Sequence, residues 1–89
     1  MDEAVFRALA KDAVYKYAMA HVDATEQPVM APEGVYVVWE CKTLQNNKAL
    51  LSTTLSDGMY YEVTYNGDKK QMYLDAYKKF ENVCYEGVE

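Results

Sequence analysis

The sequence predicts an α+β domain of order α-β-β-β-α, a three-stranded antiparallel sheet with two helices packed on one face. Three observations carry this reading. Each end of the chain holds a stretch without Gly or Pro in which apolar residues recur three to four apart. Between them lie three runs rich in β-branched and aromatic residues, separated by clusters of Asn, Asp, Ser and Gly. Both prolines fall in one stretch, 23–34, between the first helix and the first strand.

The first helix is read over 3–21. Phe6, Leu9, Ala13, Tyr17 and Ala20 make one face, widened by Val5, Ala10 and Val14. Asp2 is placed to cap it, and Glu3 suits the positive end of its dipole. The loop 23–34 follows. The first strand, 35–42, alternates Val35, Val37, Trp39 and Cys41 against Tyr36, Val38, Glu40 and Lys42. The charged pair on the even side assigns the odd side to the core.

Gln45-Asn46-Asn47 is read as a turn, 48–54 as the second strand, and Ser56-Asp57-Gly58 as the next hairpin turn. The third strand, 59–65, sets Met59, Tyr61, Val63 and Tyr65 on its apolar face and Tyr60, Glu62 and Thr64 on the other. Asn66-Gly67 alone suggests another tight hairpin. The spacing of Met72/Tyr73, Ala76/Tyr77, Phe80 and Val83/Cys84 instead predicts a helix over 69–85, with Asp68 and Gln71 resembling a capping box and a strand over 70–78 as its rival. Eighty-nine residues make a single domain, 1–89.

Composition narrows the function. Fourteen acidic residues against nine Lys and Arg leave a net charge of −5, which repels a polyanion. That balance argues against the double-stranded-RNA-binding reading that the α-β-β-β-α order invites. An alternative nucleic-acid surface is confined to Lys69, Lys70, Lys78 and Lys79 on the predicted last helix. No apolar run reaches the roughly 18 residues of a membrane span. The start Met-Asp-Glu is acidic where a secretion signal is basic, so the chain is expected in the cytoplasm and off the membrane.

Catalytic signals are sparse. The single His21 ends the first helix and reads as a capping or surface residue. Cys41 and Cys84 lack metal-ligand spacing and read as reduced, partly buried thiols. No phosphate loop, serine elbow or dinucleotide fingerprint occurs among four glycines. The expectation is a non-enzyme with no catalytic residue, no metal and no cofactor.

The nine tyrosines say more. Tyr17, Tyr61, Tyr65, Tyr73 and Tyr77 fall on predicted core faces. Tyr36 and Tyr60 fall on the other sheet face, near Val38 and Leu50, with Glu40 and Glu62 as a charged rim. A Tyr-bearing apolar patch with a polar rim is the composition of a protein-binding surface. Tyr36, Val38, Glu40, Leu50, Tyr60 and Glu62 are therefore the expected contact residues, for a protein partner or a second copy. The competing expectation is that the 23–34 loop covers them.

The stretch from Val35 to Tyr85 resembles a family of small phage, prophage and mobile-element proteins of Gram-positive bacteria. Trp39 through Asn47 and Tyr65-Asn66-Gly67-Asp68 carry the resemblance most distinctively. It implies no activity and no functional residue. It does imply a bacterial host cytoplasm and an accessory role, such as binding a host or phage protein.

Overall fold

A computed structural model describes residues 1–21 and 30–88. One helix, α1 (Glu3–Ala20), precedes a 3-10 turn (Pro32–Gly34) and four strands: β1 (Val35–Thr43), β2 (Asn46–Thr53), β3 (Met59–Asn66) and β4 (Gln71–Lys78). The strands form one antiparallel meander in the order β1-β2-β3-β4. The expected second helix over 69–85 does not exist. Its first half is the fourth strand, and residues 79–88 follow it without regular structure.

The turn chemistry explains this. Asn66 Oδ1 accepts hydrogen bonds from the backbone N–H of Asp68 (3.0 Å) and Lys69 (3.2 Å). Lys70 then takes a φ of 52°, the left-handed step that reverses the chain. Gly67 fits because a Cβ there would run into the carbonyl oxygen of Gln45. Asp68 caps nothing. It accepts a hydrogen bond from Gln45 Nε2 at 2.6 Å and so ties this turn to the β1–β2 turn. That earlier turn is Leu44-Gln45, and Asn46 and Asn47 belong to β2.

The core lies between α1 and one face of the sheet. Phe6, Ala10, Val14 and Ala18 run down the helix at four-residue spacing and are buried. They meet Val35, Ala49, Leu51, Tyr61 and Val63. The expected helix face is thus rotated: Val5 and Leu9 point to solvent. The helix packs chiefly on β1, β2 and β3, and β4 joins the core only through half-buried Leu74. Asp2 occupies the N-cap position with no side-chain capping bond. His21 closes the other end, its ring stacked on Tyr17 and its Nδ1 2.8 Å from the Tyr17 carbonyl oxygen.

The first strand contains the second correction. Val37 pairs with Leu51 and Trp39 with Leu50, which leaves Val38 as an extra, bulged residue. The alternation therefore slips by one after Val37. Glu40, opposite buried Ala49, turns to the helix side and accepts hydrogen bonds from Arg7 Nε (2.7 Å) and Nη2 (2.6 Å). This contact holds the Arg7 guanidinium pKa above its ordinary value. Trp39 and Cys41, expected in the core, face outward. Most of the 23–34 loop lies outside the described residues. At its described end Met30 is buried, and Gly34 accepts a backbone hydrogen bond from Thr54.

Candidate functional site: the open sheet face

One face of the sheet carries α1, and among the described residues no element covers the other; the competing expectation that the 23–34 loop folds over it falls mostly outside the described residues. Cross-strand register orders that open face into rows. The first row is Tyr36, Ser52, Tyr60 and Tyr77. The second is Trp39, Leu50, Glu62 and Asp75, and the third is Cys41, Lys48, Thr64 and Tyr73. Five aromatic side chains therefore share one face. Four of them are exposed: Tyr36 by 47%, Trp39 by 44%, Tyr73 by 49% and Tyr77 by 53%. Side chains this large are costly to leave in water, and several together on a flat sheet form a patch suited to contact.

Of the expected contact residues, Tyr36, Leu50, Tyr60 and Glu62 come together here. Val38 is exposed at the bulge beside them. Glu40 is not part of the face, because the bulge turns it to Arg7 on the helix side. The position it was expected to hold belongs to Trp39. Trp39, Tyr73 and Tyr77 were missed as contact residues. The Asn66-Gly67 hairpin signal could have found two of them, since a strand after it places Tyr73, Asp75 and Tyr77 on one side.

The charges on the face are few and uneven. Lys48 Nζ lies 3.3 Å from Glu62 Oε1. Glu62 is also directly opposite Asp75 across β3 and β4. Like charges facing across a sheet are unfavourable, and Asp75 has no ion-pair partner among the described residues. The centre of an aromatic patch thus holds uncompensated negative charge. The surface around it has only shallow relief: a hollow of about 300 Å³ beside Trp39 and Cys41, and another of about 210 Å³ between Tyr36, Tyr60 and Lys79.

The alternative lysine surface does not hold together. Lys69 and Lys70 sit at the β3–β4 turn, and Lys78 and Lys79 at the far end of β4. Eight strand residues separate the two doublets by roughly 25 Å. The helix that would have gathered them is replaced by a strand. The thiols of Cys41 and Cys84 are free and exposed, not partly buried. Among the described residues, no three of His, Cys, Asp or Glu are grouped to hold a metal ion, and no helix is long and apolar enough to cross a membrane.

Over residues 7–87 the chain matches a family of unknown function, DUF6275. The chain belongs to the DUF6275 family. The DUF6275 match takes in most of α1, all four strands and nearly all of the segment after β4, so the open face lies wholly inside it. No curated protein and no solved structure matches the chain.

Proposed function

We propose that this DUF6275 domain is a non-catalytic protein-binding module, and that the open sheet face is where its partner docks. The observation that carries the reading is the alignment of Tyr36, Trp39, Tyr60, Tyr73 and Tyr77 on one uncovered face. Aromatic anchors with a polar surround are the composition of interface centres. The Glu62–Asp75 pair sets the partner's chemistry: an apolar surface that brings a Lys or Arg to the middle of the patch. A polyanion meets the opposite field. On the resemblance to phage and mobile-element proteins, we take the domain to act in a bacterial cytoplasm, as an accessory protein that binds a host or phage protein.

The test is co-purification from cells carrying the element, with wild type and two variants, Trp39→Ser and Tyr60→Glu. A partner held stoichiometrically by wild type and lost at least tenfold by both folded variants is the expected result. A partner retained by both variants overturns the assignment of the face. Asp75→Asn should weaken binding and flatten its salt dependence.

A further inference from the structure

Among the described residues the sheet has two free edges, and they differ. β1 is broken by the bulge at Val38, a feature that blunts edge pairing. β4 is eight residues long, without a bulge or a proline, and its outer side has no neighbour among the described residues. The chain continues past it. Lys79 N–H donates to the Gly58 carbonyl oxygen at 2.7 Å, one further rung in the β3–β4 register. Beyond Lys79, Phe80 is fully exposed, and Val83 and Tyr85 are exposed as well. No residue from Gln71 to Glu86 has a positive φ, so no left-handed step interrupts the chain beyond the strand's end at Lys78.

The same rung fixes which backbone groups are free. In an antiparallel ladder alternate residues bond to one neighbour and the residues between them turn to the other side. With Lys79 bonded toward β3, the N–H and C=O groups of Leu74, Ala76 and Lys78 point outward.

We infer that β4 with its continuation, residues 79–83, is the dimer edge, and that two copies pair antiparallel about a two-fold axis at Tyr77. Charge decides for a second copy and for this register. Centred on Tyr77, the pairing sets Asp75 opposite Lys79 and Leu74 opposite Phe80, each twice by symmetry. Centred on Asp75, it sets two carboxylates face to face. Centred on Leu74, it opposes Lys70 to Lys78 and Lys69 to Lys79. Centred on Lys78, it opposes Lys to Lys and Asp75 to Glu81. Centred on Ala76, it pairs no charges. The Tyr77 register also covers Phe80 and joins the two open faces, so the Tyr36-Ser52-Tyr60-Tyr77 row runs on into its symmetry mate. The pairing shares Asp75 and Tyr77 with the open face, so it is tested by the mass of the particle and not by what that face binds.

Sedimentation velocity on the full chain tests it. Wild type is expected at twice 10.2 kDa in the micromolar range. Ala76→Pro removes an outward N–H without touching β3, so it should give a folded monomer. Asp75→Lys and Lys79→Glu should each weaken the dimer roughly tenfold, and the double variant should recover it. In a Cys41→Ser/Cys84→Ser background, Tyr77→Cys should form a self-disulfide on mild oxidation and Tyr73→Cys should not. A wild type that stays monomeric at high micromolar concentration overturns the inference. So does a dimer that survives in Ala76→Pro but dissolves in Tyr60→Glu, which would put the contact on the open face. Self-linking through Tyr73→Cys overturns the register.

Discussion

Two buried residues show how little slack the core has. Leu51 is fully buried in the middle of β2, between the helix and the strands on either side. Truncation to Ala leaves a cavity that one helix on a sheet cannot collapse to fill. Leu51→Ala should therefore cost about 2–5 kcal/mol. A domain of this length has on the order of 4–13 kcal/mol in total, so urea titration should show a large drop in midpoint or no folded baseline at all. Tyr61 is 1% exposed, with its ring edge-on to Tyr17. Burial raises its phenol above the usual 10.0, with Asp57 adding to the effect. The folded state thus keeps the proton more tightly than the unfolded chain. The stabilisation is whole below pH 10 and is lost as pH climbs from there through the raised folded value. Thermal melts between pH 9 and 11 should show a steeper decline for wild type than for Tyr61→Phe. Equal slopes would mean that Tyr61 ionises as freely when folded as when unfolded.

At the scale of elements, the two departures from the expected fold have one cause each. The helix, the β2 and β3 strands and the core positions Phe6, Val14, Tyr61 and Val63 were legible because each element has one apolar and one polar side. β4 has no such contrast. Met72, Leu74 and Ala76 are apolar on one face, and Tyr73 and Tyr77 on the other, so period two is hidden and a false period near four emerges. The Asn66-Gly67 turn was the better witness, since its hydrogen bonds act locally whatever follows. β1 fails differently. Its alternation is regular in sequence and broken in space by Val38, and no residue type announces a bulge. That is why Trp39 was assigned to the core and Glu40 to the contact face. The bulge leads to a sharp expectation. Deleting Val38 leaves Val37 opposite Leu51 and Trp39 opposite Leu50, with both faces intact. The deletion variant should fold cooperatively with near-native circular dichroism. Deleting Leu50 instead reverses the faces of half of β2 and should abolish folding. If the Val38 deletion unfolds the protein, the bulge is required for twist and not merely tolerated.

The whole molecule is a slab of 43 × 38 × 19 Å, with a radius of gyration of 14.8 Å. A compact chain of this length would measure about 12 Å. The excess has two sources: one helix is too few to wrap four strands, and residues 80–88 are exposed along their whole length. Such a shape leaves an aromatic face, an unpaired strand edge and an apolar tail, three surfaces that each gain by being covered. The proposed partner takes the first, and the β4 dimer takes the other two. These roles separate cleanly in a chain ended after Lys79. Residues 80–88 are all exposed, so their removal should change unfolding free energy by no more than about 0.5 kcal/mol. It also deletes Phe80, the residue that the Tyr77 register sets against Leu74 in both halves of the dimer. The shortened chain should melt like the wild-type monomer, sediment as a monomer, and still bind the partner of the open face. A shortened chain that dimerises as tightly as wild type would show that the tail has no part in the edge. One that unfolds would show that the tail belongs to the core and not to the interface.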